Sequence, residues 1–162
     1  MKKIAIIGSS CADEKMIGIA AEVGTEIAKQ CLILIIGEYS GVMEASARGA
    51  KSCGGTVIGI MRGEKEESAA YIDIQIPTGI GRLRSDILIN SSDGVIAIGG
   101  SAGTLKEMAY AYKIGKPIAV IKGSGGWADK LSDSYLDEKK TVKIVGAKTA
   151  KEAVDALIEQ IK

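Results

Sequence analysis

Hydrophobic and polar positions follow two alternating patterns along this chain. Seven short segments are continuously apolar or alternate apolar with polar residues, as strands do. Between most of them lie longer stretches whose apolar residues recur every three to four positions, the spacing of one helix face. The predicted strands are residues 4–8, 32–37, 56–61, 72–76, 94–98, 117–121 and 141–145. The predicted helices are residues 13–30, 41–53, 78–91, 104–114 and 149–161, with a polar connection at 64–69 and a flexible loop at 123–126.

Strands that alternate with helices predict an α/β fold, a Rossmann-like three-layer sandwich with a mostly parallel sheet. The short link after the third strand places the strand at 72–76 at the edge of the sheet. Right-handed crossovers then bring the strand at 94–98 beside the first strand. Ligands bind at the carboxyl ends of strands where the strand order reverses. Because no repeat, low-complexity tract or linker interrupts the pattern, we expect one nucleotide-binding domain over residues 1–162.

The strongest local feature is the glycine-rich loop 99–104, which joins a buried strand to a helix. Glycines let the backbone approach a ligand, and free N–H groups at a helix N-terminus favour phosphate. An ordinary strand-to-helix turn that uses glycine only for its backbone angles is the alternative interpretation. The predicted topology places the loop after the first strand opposite this one. The residues expected to bind the ligand are Gly8, Ser9, Ser10, Gly99, Gly100, Ser101, Ala102, Gly103 and Thr104.

Composition removes several classes of function. The chain has 21 basic and 20 acidic residues and no histidine, so catalysis by histidine and histidine-ligated metal sites are excluded. A net charge of +1 leaves no electrostatic footprint for nucleic acid or an anionic membrane. We find neither a membrane span nor a secretory leader, and three cysteines without metal spacing predict reduced thiols in a cytoplasmic protein. The P-loop and G-x-G-x-x-G fingerprints are absent as well.

Charged residues flank the glycine loop and the preceding helix. Thr104 and Glu107 have the spacing of a capping box, in which Thr104 caps the helix and Glu107 reaches back to its N–H. The same carboxylate would lie close to a bound ligand, so a catalytic role and a capping role both stay open. Arg82 and Arg84 fall in the first turn of the helix at 78–91, where cations are unfavourable. A phosphate or carboxylate partner would explain them, and we expect at most one to face the cleft.

At this point the chain resembles a known family. Residues 99–107 are similar to the P-G-G-x-G-T-x-x-E motif of the "lysine decarboxylase-like" or Lonely Guy (LOG) proteins. Residues 41–45 resemble the family's glycine-methionine helix start, and Arg84 matches the arginine that precedes the motif strand. The resemblance covers roughly residues 3–121. It is strongest to the molybdenum-cofactor-carrier-like branch, through Thr78-Gly79, Arg84, Ser92-Asp93 and Gly115-Lys116-Pro117.

The resemblance implies a homodimer with a nucleotide site. LOG enzymes hydrolyse the N-glycosidic bond of a cytokinin riboside 5′-monophosphate, which implies that Glu107 and Arg84 are the catalytic pair and that residues 100–104 hold the phosphate. A non-catalytic carrier of molybdopterin or another phosphorylated ligand is the alternative, and a dinucleotide oxidoreductase is a third, less favoured one. Tyr110 and Tyr112 favour packing or a subunit interface, and we expect a dimer built partly on the helices at 78–91 and 104–114. No cofactor is expected, since nothing indicates a Schiff-base lysine site for pyridoxal phosphate.

Several positions depart from the family pattern. Gly99 replaces the motif proline, and Ser101 replaces its second glycine. If position 101 required a positive φ, serine would strain the loop. Glu38 follows the second strand where LOG enzymes are richer in glycine, and its charge would repel a phosphate placed close by.

Overall fold

The computed structural model, which describes residues 1–65 and 69–161, contains seven strands and six α-helices within those residues. The strands are β1 (Lys3–Gly8), β2 (Ile33–Ile36), β3 (Thr56–Met61), β4 (Ile74–Pro77), β5 (Gly94–Ile98), β6 (Ile118–Ile121) and β7 (Ile144–Ala147). The helices are α1 (Glu14–Lys29), α2 (Gly41–Ser52), α3 (Arg84–Ser91), α4 (Ala102–Lys113), α5 (Gly126–Leu131) and α6 (Ala150–Gln160). A 3₁₀ turn at Gly81–Leu83 leads into α3.

The seven strands form one sheet in the order β4-β3-β2-β1-β5-β6-β7, and every pairing is parallel. The predicted fold class, the edge position of β4 and the placement of β5 beside β1 are therefore confirmed. Gly8 pairs with Ile98, so β1 and β5 end at the same level and their following loops start side by side. The strands approach so closely that a Cβ on Gly8 would lie 2.2 Å from the Ile98 carbonyl oxygen.

Two apolar layers cover the sheet, because successive strand residues point to opposite faces. Ile4 and Ile6 of β1 pack with helices α1, α2 and α6, whereas Ala5 and Ile7 pack with helices α3, α4 and α5. Helices α1 and α2 touch through glycine. A Cβ at Gly24 would lie 1.9 Å from the Ser46 carbonyl oxygen. This arrangement is the three-layer sandwich predicted from the alternation of elements.

The start of α4 differs from the prediction. The helix begins at Ala102 with Ser101 as its N-cap, so Thr104 lies inside the first turn. The predicted capping box between Thr104 and Glu107 is therefore wrong. Gly99 and Gly100 have positive φ angles of +61° and +97°. These angles turn the chain so that α4 begins at Ala102, two residues before the predicted start at Thr104.

Other helix and strand boundaries also differ from the prediction. The helix predicted at 78–91 is split, because positive φ angles at Gly79 and Gly81 break its first turn before α3 begins. Helix α5 lies partly in the segment predicted as a flexible loop, and β7 starts three residues later than predicted. Of the polar connection at 64–69, residues 66–68 lie outside the described part of the chain. No helix in the described ranges is long and apolar enough to cross a membrane.

Candidate functional site

A cavity of about 660 Å³ opens at the carboxyl ends of β1, β2 and β5, where the strand order reverses. The lining includes both loops predicted to face each other and both residues of the predicted pair, Arg84 and Glu107. The predicted ligand-binding residues that line this cavity are Gly8, Ser9, Ser10, Ser101, Ala102, Gly103 and Thr104. Gly99 and Gly100 instead line a second cavity of about 430 Å³, which shares Ser9 and Ser101 with the first.

The glycine loop delivers the N-terminus of α4 to the cavity. A Cβ on Gly100 would lie 2.3 Å from the Thr104 hydroxyl oxygen, so only glycine allows the loop to close on the helix. Ser101 has φ −110°, an extended conformation that serine adopts without strain. The strain anticipated at this departure from the family motif is therefore absent. The amides of a helix's first turn have no partner within the helix. Those of Ala102 and Gly103 therefore present partial positive charge at the cavity wall.

Helix α5 braces the glycine loop from behind. The amides of Trp127 and Ala128 donate to the carbonyl oxygens of Gly100 and Gly99, both at 3.1 Å. The Gly99 N–H donates in turn to the Ser124 hydroxyl oxygen at 2.9 Å. The carbonyl oxygens of Gly99 and Gly100 therefore point to amides of α5. Their partial negative charge does not repel an anion at the N-terminus of α4. Sequence reasoning missed this brace because it read residues 123–126 only as a flexible loop.

Arg84 is buried in the wall of the cavity, with 4% of its surface exposed. Its Nη2 lies 3.5 Å from Glu38 Oε2, and its Nη1 lies 3.7 Å from Glu107 Oε1. Both distances exceed an ordinary hydrogen bond. Within the described residues, the buried Nε and Nη1 of Arg84 have no hydrogen-bond partner. A buried donor without an acceptor costs free energy, so a ligand oxygen that came within reach of these nitrogens would remove that cost.

Gly37 makes room for this arginine. A Cβ on Gly37 would lie 2.1 Å from Arg84 Nη1, so the guanidinium rests directly on the glycine backbone at the end of β2. Gly37 was not among the site residues predicted from the sequence. In the sequence, Gly37 is a glycine between a strand and Glu38, which is also the pattern of an ordinary turn. Only its burial in the folded protein distinguishes the two.

Burial changes the protonation of the pair. Removal from water raises the pKa of the Glu107 carboxyl to about 7, although the positive charge of Arg84 opposes that rise. Burial also lowers the pKa of Arg84, with the charges of Glu107 and Glu38 acting in the opposite direction. Glu107 therefore exchanges a proton near neutral pH, which suits a carboxylate that handles protons or positive charge.

Glu38 and two further arginines complete the charged wall. Arg62 Nη2 lies 2.5 Å from Glu38 Oε2, so Glu38 is held between Arg62 and Arg84. The two cations reduce the repulsion that Glu38 was expected to exert on a phosphate. Arg82 lines the cavity together with Arg84. The expectation that at most one of them faces the cleft is wrong, because Arg82 lies in the 3₁₀ turn and Arg84 begins α3.

Two aromatic residues pack within the fold and do not line the cleft. Tyr112 is buried, and its hydroxyl donates to Asp137 Oδ1 at 3.0 Å and accepts from the Thr141 N–H at 3.1 Å, so it packs within its own chain. Trp127 is half-buried beneath Lys130. The described ranges hold no group of three or more cysteine, aspartate or glutamate side chains placed to hold a metal ion.

Comparison with known proteins identifies the family of this chain and two relatives in sequence. Residues 1–154 match the SLOG cluster4 family. A protein of unassigned function from Archaeoglobus fulgidus is 43% identical over 122 residues, 75% of this chain and 81% of its own. A cytokinin riboside 5′-monophosphate phosphoribohydrolase from Mycobacterium tuberculosis is 29% identical over 159 residues, 88% of this chain and 85% of its own.

Two solved structures with related folds are a molybdenum cofactor binding protein and a molybdenum cofactor carrier protein. The molybdenum cofactor binding protein of Rippkaea orientalis is 28% identical, with a TM-score of 0.86 over 99% of this chain and 98% of its own. The molybdenum cofactor carrier protein of Chlamydomonas reinhardtii is 29% identical, with a TM-score of 0.81 over 99% and 97%.

Proposed function

This chain belongs to the SLOG cluster4 family, and from that premise we propose that it is a single nucleotide-binding domain for a phosphorylated small molecule. The ligand lies in the cavity between the loops after β1 and β5, with its phosphate at residues 100–104. The observation that carries the proposal is the first turn of α4. Its amides line the cavity while α5 engages the loop carbonyls, which is an arrangement suited to an anion.

The dimensions of the cleft suit a nucleotide. A volume of about 660 Å³ lies within the usual range of small-molecule sites, about 300–1,000 Å³. Ser9 and Ser10 line the same cavity as Gly103. The Ser9 hydroxyl donates to the Cys11 carbonyl oxygen at 2.6 Å, so its oxygen can accept a hydrogen bond from the ligand, and Ser10 can bind a second polar group. Gly103 leaves open space where a Cβ would stand, so the phosphate can reach the backbone directly.

We further propose that the site hydrolyses the N-glycosidic bond of a nucleoside 5′-monophosphate. Water adds at C1′ of the ribose, the bond from C1′ to the base breaks, and the base leaves with a proton, so that ribose 5-phosphate is the second product. Positive charge develops on the ribose as this bond breaks. The Glu107 carboxylate, buried beside the phosphate loop, stabilises that charge better than an exposed carboxylate could. Arg84, in the cavity wall beside Glu107, positions the ligand.

The relationship to the Mycobacterium tuberculosis phosphoribohydrolase supports this chemistry. The second candidate function is a non-catalytic carrier of molybdopterin or another phosphorylated ligand. It is favoured by the likeness to two molybdenum cofactor proteins over almost the whole chain. The two functions differ at Glu107, since an enzyme needs the carboxylate for turnover and a carrier does not.

The test of binding is a thermal-shift screen with nucleoside monophosphates, NAD, ADP-ribose and pterin phosphates. A ligand at one hundred times its Kd raises stability by about 2.7 kcal/mol. Gly103→Val should abolish the shift, because its side chain blocks the first-turn amides. Gly18→Val is the matched control, since Gly18 lies on the exposed face of α1 with equally open space. Unchanged nucleotide affinity in a folded Gly103→Val protein would falsify this phosphate site.

The test of turnover is chromatography of each bound nucleotide for released base. We expect slow release by the wild-type protein and a loss of about a hundredfold or more in Glu107→Gln, which keeps the shape of the side chain but loses its charge. Tight binding without any released base on long incubation eliminates the hydrolase and leaves the carrier.

A further inference from the structure

Four charged side chains of the cavity form a row in which each contacts the next. A fifth, Arg82, lies outside the row. Arg62, Glu38, Arg84 and Glu107 alternate in charge, with closest approaches of 2.5, 3.5 and 3.7 Å in that order. Among the described residues, Arg82 lines the same cavity without an ion pair. Lys106 also lines the cavity, but its Nζ is paired with Asp86 Oδ1 at 3.2 Å.

Arg82 lies in the 3₁₀ turn that adjoins the Arg62 end of the row. The Gly81 N–H donates to the Arg62 carbonyl oxygen at 2.9 Å, which ties the 3₁₀ turn to the end of β3 and places Arg62 and Arg82 on one rim. Glu107, at the other end of the row, is on α4, whose N-terminus carries the proposed phosphate site. The cavity lining thus holds Arg62 and Arg82 from two joined segments and the first turn of α4 from another, and the contacts of Glu38, Arg84 and Glu107 link Arg62 to α4.

We propose that Arg82, with Arg62 beside it, forms a second anion site, so that the ligand carries two anionic groups, one at each end. This rests on the proposed function, because the first anion is the phosphate at α4. The ligand class is a sugar bisphosphate or nucleoside bisphosphate, with its phosphates on different positions of the sugar. Its hydroxyl groups donate to the carboxylates of Glu38 and Glu107 in the middle of the cavity.

Physical reasons favour an anion on this rim. An arginine in the turn that opens a helix lies where positive charge is unfavourable, so a negative partner removes a cost. A guanidinium binds phosphate through two parallel hydrogen bonds, and the walls of a cleft concentrate its field. The net charge of the whole chain is only +1, so general attraction of anions to the protein does not account for such a preference.

The test compares ligands that differ by one phosphate and by its position. Calorimetry measures the affinity of the wild-type protein for adenosine 5′-monophosphate, ADP, the adenosine 2′,5′- and 3′,5′-bisphosphates, ribose 5-phosphate and ribose 1,5-bisphosphate. We expect at least one bisphosphate to bind ten times or more tighter than its monophosphate parent, and tighter than ADP, whose extra charge sits beside the first phosphate. Arg82→Gln should bring that ratio to within threefold of one.

Arg48→Gln is the matched control. Arg48 is an exposed arginine of α2 outside the cavity, so its removal takes away the same charge without touching the rim. The second anion site is overturned if no bisphosphate is preferred, if ADP binds as tightly, or if Arg82→Gln keeps the preference. If the monophosphates bind in a manner that depends on Gly103, only the second site falls. If no phosphorylated compound binds, the proposed function falls with it.

Discussion

Replacement of Glu107 by glutamine removes a buried charge and preserves the shape of the side chain. Glu107 has 15% of its side chain exposed and lies 3.7 Å from Arg84, so the charge is poorly hydrated and only loosely paired. Its folded-state pKa of about 7 stands above the ordinary value of 4.5. The folded protein therefore binds a proton at Glu107 more tightly than the unfolded chain does. The free energy of unfolding must accordingly fall as the pH rises from 4.5 towards 7.

The size of the effect follows from the shift. One pH unit corresponds to about 1.4 kcal/mol. Integrated from pH 5 to pH 8.5, the rise from 4.5 to about 7 costs the wild-type protein on the order of 2–3 kcal/mol of folding free energy. Glu107→Gln carries no charge at either pH and escapes this cost. All other titrating groups are common to both proteins, so their contributions cancel in the difference to a first approximation.

Urea denaturation of both proteins at pH 5 and pH 8.5 measures this difference. With a slope of about 2 kcal/mol per molar urea, the midpoint of Glu107→Gln relative to wild type should move up by roughly 1 M between the two pH values. Glu22→Gln removes a charge from the exposed face of α1 and should follow the wild-type protein. Parallel pH profiles for wild type and Glu107→Gln would refute the reasoning that burial dominates the energetics of this carboxyl.

Gly37→Ala should displace the Arg84 guanidinium, because the new Cβ would lie 2.1 Å from Nη1, and nucleotide affinity in a calorimetric titration should fall by about tenfold. Gly18→Ala, at an open position of α1, should leave that affinity as it is, and equal losses in both variants would contradict the account. We also predict a homodimer, since Leu83 in the 3₁₀ turn and Ile87 on α3 are 65% and 39% exposed. Light scattering at micromolar concentration checks it, and a monomer mass would count decisively against it.

Much of the architecture could be predicted because its signals are local. The apolar run from Ile4 to Ile7 and the alternating Ile74 and Ile76 identify strands by their period alone. The handedness of crossovers then leaves few strand orders, and the short link before β4 selects the observed one. The glycine loop before α4 could be found in the same way, since a tight turn from a strand into a helix requires glycines at fixed places in the chain.

Errors arose where backbone angles, rather than residue types, decide an outcome. Thr104 and Glu107 have capping-box spacing, but positive φ angles at Gly99 and Gly100 start α4 at Ala102 and leave that spacing unused. The sequence contains each of these residues. It does not reveal which of several compatible starts the loop permits, because that depends on how the loop closes against α5.

By itself, then, the amino-acid sequence determined the order of the elements, the sheet they form and the loops that meet at its carboxyl edge. Only the tertiary structure decided that the Arg84 guanidinium packs on Gly37 and lies between the carboxylates of Glu38 and Glu107. It also decided that the pKa of Glu107 rises to about 7. The physical reason is that periodicity and turn chemistry act between neighbours in the chain. Burial and ion pairing act between groups that are tens of residues apart, and these are brought together only when the layers pack.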